Sequence, residues 1–162
     1  MGRNSERETI VRAIIVENEK LLVNSTENKA TGVAYCALPG GHVHIYESCP
    51  AALEREFREE LATDIKVHEL KFVSESIYEG RRADDVARHE LVLYFHSELL
   101  SPLGQEDGRI MSPEFDKNFI WLPLDQLTEA NLLPLPIREY LQQNLVADGA
   151  PGVSYGFHDS TR

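Results

Sequence analysis

The chain has 162 residues, a length typical of one folded domain. Its hydrophobic content of 42% and charged content of 27% are those of a globular protein and argue against general disorder. The formal net charge of −11 argues against a nucleic-acid polymer as partner. A small anionic substrate stays open, provided that metal ions supply the missing positive charge.

The two cysteines, Cys36 and Cys49, form no CxxC pair and are too few for a disulfide scaffold. The N-terminal segment has an apolar run too short and too interrupted by charge for a signal peptide. No stretch approaches the roughly 18 apolar residues of a membrane span. The sequence therefore predicts a cytoplasmic protein with reduced thiols and no membrane partner.

Three strands are predicted in the first quarter of the chain. The stretch TIVRAIIV, residues 9–16, is apolar and β-branched, which favours a strand. A tight turn leads from it into KLLVNS, residues 20–25, as a hairpin partner. VAYCALPGG, residues 33–41, predicts a third short strand that stops at Pro39 and two glycines.

From about Glu47 the pattern becomes helical. Ser48 is suited to the N-cap, and Pro50 is suited to the first turn, where its missing N–H costs nothing. The helix is predicted to end near Ala62.

The rest of the chain predicts two long strands, a loop, a strand and a last helix. In order these are residues 65–80 and 88–99, which flank a charged loop at 80–87, then a polar loop at 101–117, a strand at 118–124 and a helix near 137–146. Residues 1–8 and the Gly-rich tail at 147–162 are predicted to be flexible, with one folded domain at 9–146. The element order indicates a single domain of mixed α+β or α/β class.

The predicted helix carries three glutamates within five residues, Glu56, Glu59 and Glu60. On a helical wheel with Leu53 at zero, Phe57 and Leu61 complete a narrow apolar stripe at about 40° and 80°. Glu60 lies at about 340°, Glu56 at about 300° and Glu59 at about 240°, so the carboxylates form one acidic arc beside that stripe.

Carboxylates so close together repel each other and would raise their own pKa values unless a cation lay among them. Hard oxygen ligands favour Mg²⁺, with Mn²⁺ as an alternative, whereas zinc would call for Cys or His at ligand spacing. A solvated acidic helix face is the competing interpretation. It leaves unexplained why Glu60 borders the apolar stripe.

The spacing of these residues resembles the Nudix box, G-x5-E-x7-R-E-U-x-E-E-x-G-U, where U is a bulky apolar residue. The matching positions are Gly41, Glu47, Arg55, Glu56, Phe57, Glu59 and Glu60. A strand ending in LPGG precedes the box and WLPLDQL follows it, so the resemblance covers roughly residues 9–146. Ala62 stands in place of the second glycine, and Thr63 in place of an apolar residue.

The resemblance implies a Nudix fold, a mixed β-sheet sandwiched between α-helices. It also implies a metal-dependent hydrolase that cleaves the phosphoanhydride bond of a nucleoside diphosphate linked to another group, X. In this family the metal ions bridge the box glutamates and the diphosphate while water attacks a phosphorus. A nucleotide-binding module without catalysis is the alternative function, although such domains typically lose box glutamates and this chain keeps them.

By position in the box, the resemblance implies metal ligation by Glu56 and Glu60, with Glu59 as a direct or water-bridged ligand. The backbone carbonyl of Gly41, or that of Gly40, is expected to complete the shell.

Glu47 and Arg55 are expected to orient the loop and the helix, with contact to phosphate as the alternative role of Arg55. The catalytic base is expected either among the box glutamates, Glu56 or Glu59, or in the late loop, where Glu114 is preferred.

Several other features stay open in the sequence. His42 and His44 are either substrate contacts or ordinary solvent-facing residues, and Arg81 or Arg82 is a candidate phosphate contact on a loop that is more simply a solvated hairpin. Tyr78 occupies the place where ADP-ribose hydrolases of the family often carry a proline, so group X is not assigned. The expected partner is a small nucleotide, and a homodimer is left open.

Overall fold

The computed structural model describes residues 5–27, 31–78, 87–106, 109–114, 116–145 and 153–159. In these ranges the strands are β1 (Ser5–Ile14), β2 (Val16–Glu17), β3 (Lys20–Glu27), β4 (Ala34–Ala37), β5 (Gly40–His42), β6 (Ile65–Tyr78), β7 (Ala87–Leu99), β8 (Gln105–Glu106), β9 (Arg109–Ile110), β10 (Phe119–Pro123) and β11 (Ser154–Asp159). The helices are α1 (Cys49–Leu61) and α2 (Leu135–Asn144), with a short 3₁₀ helix at Leu124–Gln126.

The strands form two sheets. Sheet A has the order β11-β6-β7-β1-β5, and sheet B has the order β2-β3-β10-β9-β8 with β4 also paired to β3. In sheet A, β1 runs parallel to β7 and β11 runs parallel to β6, whereas its other pairs are antiparallel. The mixed α+β class predicted from the sequence is confirmed, with two sheets in place of the single one expected.

Strand β1 explains why a helix packs on either side of the sheets. Its side chains alternate between two faces, and both faces are apolar. Ile10 and Ile14 join the core that contains Ile137 of α2, whereas Val11 and Ala13 join the core beneath α1. Both cores also take residues from sheet B, so the two sheets lie between the two helices.

The third predicted strand, residues 33–41, is two strands in the structure. β4 pairs with β3 in sheet B, whereas β5 pairs with β1 in sheet A. Pro39 separates them, and Gly40 follows with a φ of +133°, a conformation that side chains disfavour. The chain therefore changes sheets at this point and delivers Gly41 to the edge of sheet A, beside α1.

The structure also differs from the sequence prediction near both termini. β1 begins at Ser5, four residues before the predicted domain boundary, and β11 lies within the segment predicted as a flexible tail. The predicted loop residues 80–86, with Arg81 and Arg82, lie outside the described residues. No helix in the described part of the chain is long and apolar enough to cross a membrane.

Candidate active site around the acidic helix

Helix α1 has the start and the end that the sequence indicates. The Ser48 hydroxyl accepts a hydrogen bond from the Ala51 N–H at 3.3 Å, and Pro50 lies in the first turn. Ala62 ends the helix in the left-handed conformation, with φ 49° and ψ 36°. Glycine is favoured at such a position, so Ala62 adopts this backbone conformation with some strain.

The side chains of α1 are arranged as the helical wheel predicts. Leu53, Phe57 and Leu61 are buried, and Glu60 is buried beside them with 5% of its surface exposed. The Glu56 side chain is 13% exposed, and that of Glu59 is 53% exposed. The three carboxylates thus run from the core to the solvent along one side of the helix.

Arg55 connects these carboxylates to the loop that precedes the helix. Its Nη1 donates to Glu56 Oε1 at 2.8 Å and to Glu59 Oε2 at 3.0 Å. Its Nε and Nη2 donate to the two carboxylate oxygens of Glu47, at 3.1 and 2.8 Å, a bidentate pair. Nη2 also donates to the His42 carbonyl at 2.9 Å. One guanidinium therefore holds the loop, the helix and two of the predicted ligands together.

Glu47 is held in its ionised form. The hydrogen bonds from Arg55, followed by that from the His44 N–H, lower the pKa of Glu47 to about 2. The same contact with Glu47, and a second one with Glu56, raise the pKa of Arg55 above its ordinary value despite partial burial. The pair is consequently charged at any pH at which the protein would be assayed.

Two glycines bring the backbone against the helix. A Cβ on Gly41 would lie 2.3 Å from Glu56 Cδ and 2.4 Å from Oε1, so a side chain there would displace the carboxylate. A Cβ on Gly40 would lie 2.1 Å from the Val11 carbonyl oxygen. The Gly40 carbonyl accepts a hydrogen bond from Arg12 at 2.7 Å.

Lys117 is a partner of Glu60 that the sequence did not indicate. Its Nζ lies 2.9 Å from Glu60 Oε1 and 4.0 Å from Glu114 Oε2. Burial raises the pKa of Glu60, the hydrogen bond with Lys117 opposes that effect, and the charges of Glu56 and Glu114 add to it. For Lys117, burial lowers the pKa, but the contact with Glu60 and the neighbouring carboxylates outweigh it and raise the pKa overall.

The segment that carries Glu114 and Lys117 is attached to the end of α1. The Ser112 hydroxyl donates to the Glu60 carbonyl at 2.6 Å and accepts from the Glu114 N–H at 3.1 Å. Glu114, the loop residue preferred as base, therefore lies beside the Glu60 carboxylate, with Lys117 between them. Its closeness to the acidic helix follows from these contacts and not from any pattern in the local sequence.

The donor set fits a hard divalent cation, since it offers carboxylate oxygens and the Gly41 carbonyl. Within the described ranges, however, no group of three or more His, Cys, Asp or Glu side chains converges as a ready metal site. Arg55 draws the carboxylates of Glu56 and Glu59 to itself, and Lys117 neutralises Glu60. Metal binding would therefore exchange these protein cations for a metal ion.

The two histidines left open by the sequence lie at the start of the loop before α1. His42 Nε2 is 3.4 Å from Glu8 Oε2, and His44 Nδ1 is 3.9 Å from Glu47 Oε1. Arg12, Ser112 and Lys117 are the site residues that sequence reasoning missed. None of the three stands out in its local sequence. Their positions in the site follow only from contacts between segments that are far apart in the chain.

The NUDIX domain profile matches residues 7–143. The ORF135 protein of E. coli is similar in fold, with 23% identity, a TM-score of 0.57 and coverage of 90% of this chain and 96% of that one. An ADP-ribose pyrophosphatase from Streptococcus suis shares 17% identity, with a TM-score of 0.58 and coverage of 94% and 98%. A UDP-X diphosphatase shares 22% identity, with a TM-score of 0.60 and coverage of 93% and 68%.

Comparison with curated proteins finds no match. The solved structures are too distant in sequence to show more than the shared fold. The domain match covers most of the chain and contains the whole motif from Gly41 to Thr63, which confirms the prediction of a Nudix-type enzyme. This chain belongs to the Nudix hydrolase family.

Proposed function

We propose that the protein is a metal-dependent hydrolase that cleaves a phosphoanhydride bond in a nucleoside diphosphate linked to a group X. One observation carries the proposal: the carboxylates of Glu56, Glu59 and Glu60 lie along one side of α1, with Gly41 against Glu56 and with Arg55 and Lys117 as their cationic partners. These are the positions that the family motif assigns to metal ligands.

Each residue has a distinct role in the proposed reaction. Glu56, Glu59, Glu60 and the Gly41 carbonyl would hold Mg²⁺, or Mn²⁺ as the alternative. When bound, such an ion offsets phosphate charge and lowers the pKa of water. Arg55, fixed by Glu47, keeps Glu56 and Glu59 in place.

Glu114 is proposed to accept the proton of the attacking water. As that water oxygen bonds to phosphorus, the bond from phosphorus to the bridging oxygen breaks and the leaving phosphate or nucleotide departs. The position of Glu114 supports this role, since Ser112 attaches its backbone to the end of α1. Glu56 and Glu59 are the alternative bases.

The binding module without catalysis is the second candidate function, and nothing in the site favours it. Every acidic position of the box is present, and Glu60 is buried beside the apolar stripe of α1. A cytoplasmic location is also proposed, which agrees with two free cysteines in the described residues. A homodimer stays a prediction.

A substrate panel tests the hydrolase proposal. It contains nucleoside triphosphates, dinucleoside polyphosphates, ADP-ribose and nucleotide sugars at equal concentration, each with Mg²⁺, with Mn²⁺ and with a chelator. We expect metal-dependent release of phosphate or nucleotide from at least one class. Tight binding of a panel member with no turnover in any metal would favour the binding module instead.

Glu60→Gln is expected to lower turnover at least 10²-fold, because the amide keeps the size of the side chain and removes the charge that holds the cation. Circular dichroism should show an intact fold, and Glu98→Gln, an exposed carboxylate on β7, is the matched control. Normal turnover of Glu60→Gln at ordinary Mg²⁺ concentration would contradict the assignment of Glu60 as a metal ligand.

A further inference from the structure

The outer edge of β11 is the longest unpaired strand edge in the described part of the two sheets. β11 has six residues and ends sheet A, whereas the strands that end the sheets elsewhere have three residues in β5 and two each in β2 and β8. The outer side of β4 is occupied, since the Cys36 backbone bonds to that of Asn131 and Leu133. A long unpaired edge is a template for pairing with another chain, and short edge strands are a usual protection against it.

β11 also lacks the other usual protections. Its sequence, SYGFHD, contains no lysine and no proline, and it pairs with β6 residue by residue from Ser154 to Asp159 without a bulge. Tyr155 and Phe157 lie on the face opposite Gly156 and are 60% and 53% exposed. Exposed aromatic side chains along an unpaired edge indicate a surface that a partner covers.

Apolar side chains surround this edge. Val153 directly precedes β11 and is 55% exposed. On the other face, Pro136 of α2 packs over Gly156, and its neighbour Leu135 is 37% exposed. With aromatic side chains of the usual size, the two rings of β11 alone expose roughly 200 Å². An interface built on this edge falls at the small end of the specific range, below about 1,200 Å² in total, where association is weak and reversible.

A second copy of the chain is the partner that fits, because β11 is complementary to itself. A two-fold axis perpendicular to the sheet pairs two copies of a strand antiparallel, and opposite residues then lie on the same face. With the axis at Gly156, Ser154 to His158 are all paired, and Tyr155 lies opposite the partner's Phe157. An axis at Phe157 would place Tyr155 opposite the partner's Asp159 instead, and an axis at Tyr155 would pair fewer residues of the strand. Aromatic cross-strand pairs stabilise antiparallel sheets, so the axis at Gly156 is favoured.

The charges are compatible with this pairing. Each copy has a net charge of −11, which opposes association, but β11 itself contains a single acidic residue, Asp159, and one histidine. In the pairing around Gly156, Asp159 lies beyond the paired residues of both copies. The two copies therefore meet through a nearly uncharged strand, and the repulsion comes from the rest of the surface, where salt screens it.

We propose that two copies of the chain associate through β11, whose outer edge pairs antiparallel with the same edge of the partner and joins the two A sheets into one. Glu75 of β6 holds the strand in place for this contact, because its carboxylate accepts a hydrogen bond from the Tyr155 hydroxyl and also contacts His89 of β7. β5, which carries Gly41, lies at the opposite end of sheet A, about 19 Å from β11. The box residues therefore lie away from the interface, and this inference does not depend on the proposed function.

Sedimentation velocity in a chelator and a thiol reductant, over about 10 to 500 μM protein, measures the association. We expect a monomer–dimer equilibrium with a dissociation constant of about 10 to 100 μM, the range of small interfaces. Because the two copies repel each other through their net charge, raising NaCl from about 50 to about 500 mM should tighten the dimer. A monomer over the whole range, or a dimer that dissociates in high salt, overturns the proposal.

Phe157→Gln tests the side chains of the interface. The substitution removes apolar area and adds no charge, so we expect it to weaken association at least tenfold. Leu100→Gln is the matched control, because Leu100 is also 60% exposed but follows β7 outside this edge. Association of folded Phe157→Gln at wild-type strength overturns the role of β11.

Hydrogen exchange followed by NMR tests the backbone pairing in the wild type and keeps the proposal testable if Phe157→Gln does not fold. Every second amide of β11 points towards β6, so pairing through the outer edge should slow only the alternate amides, by about threefold or more, as protein concentration rises. The amides of β5 are the control and should not change. Unchanged exchange of the outer amides in a dimer would place the interface elsewhere. Protection of these amides already at the lowest concentration would show that another segment of the same chain covers the edge, and either result overturns the proposal.

Discussion

Lys117 puts an ammonium group on the most buried of the three box carboxylates. Its Nζ is 2.9 Å from Glu60 Oε1, and 31% of its side chain stays exposed. A buried carboxylate without a counter-charge is costly, so this contact stabilises the protein when no metal is bound. A metal ion at Glu60 would compete with the ammonium group for this carboxylate, so we expect Lys117 to weaken metal affinity.

Lys117→Gln is expected to tighten Mg²⁺ or Mn²⁺ binding about tenfold, the scale of one charge-assisted hydrogen bond, when measured by calorimetry. The free energy of unfolding without metal should fall by about 1 to 2 kcal/mol, since Glu60 loses its partner while solvent still screens the pair. Lys66→Gln, whose amine is 3.9 Å from an exposed Glu98, is the control and should change neither quantity. Weaker metal binding in Lys117→Gln would instead show that Lys117 helps to hold Glu60 in position for the metal ion.

Ser112 and Lys117 place Glu114 close to Glu60. The Glu114 carboxylate itself makes no hydrogen bond among the described residues. Among the described residues, the cation paired with it is Lys117, at 4.0 Å. Glu114→Gln should lower kcat by roughly 10²-fold, the scale of general-base catalysis, with metal affinity unchanged. A loss below threefold would return the base role to Glu56 or Glu59.

Ala62 is where an element departs from the family pattern. The residue ends α1 with φ 49°, and left-handed geometry places the Cβ of any residue except glycine too close to the backbone. Ala62→Gly is expected to raise the free energy of unfolding by about 0.5 to 1 kcal/mol in urea titrations, with no change in turnover. The control, Ala52→Gly at a buried position in the first turn of the same helix, should lower it by about 1 kcal/mol. Destabilisation by both substitutions would show that the helix does not end in this conformation in solution.

Local pattern was sufficient for α1, because period and capping are written within a few adjacent residues. It was only partly sufficient for the first hairpin, since β3 pairs with the short β2, whereas β1, the predicted partner, lies in the other sheet. Local pattern was insufficient for residues 33–41, where one apolar stretch contributes a strand to each of the two sheets. The sequence there shows the break, at Pro39 and Gly40, but not the change of partner from β3 to β1. Pairing partners are set by the whole core and not by the segment itself.

The same limit applies to the site. The glutamates could be predicted because one helix carries them all, and Arg55 because it lies on that helix. Lys117 could not be predicted, since it contacts Glu60 from a segment far away in sequence. A spacing motif predicts functional residues that lie on one helix or strand. It does not predict contacts between residues of different elements.

At the scale of the whole molecule, β11 joins the end of the chain to the outer edge of sheet A. It runs parallel to β6, and the Tyr155 hydroxyl donates to Glu75 Oε2 at 2.6 Å. Gly156 lies where there is no room for a side chain, because its Cβ would be 2.8 Å from Pro136 Cβ and 2.9 Å from Phe72 Cζ. The glycine thus allows α2 to pack directly against this edge of the sheet.

Gly156→Val should detach β11, because Pro136 and Phe72 are both held in packed elements and neither side can yield without strain. Hydrogen exchange followed by NMR is the measurement. The amides of β6 that face β11 are expected to exchange faster by at least tenfold, whereas those that face β7 keep their protection. Gly104→Ala is the control, since its nearest neighbour would be Met111 Cβ at 3.9 Å, an ordinary contact. Unchanged protection in Gly156→Val would mean that β11 does not occupy this edge in solution.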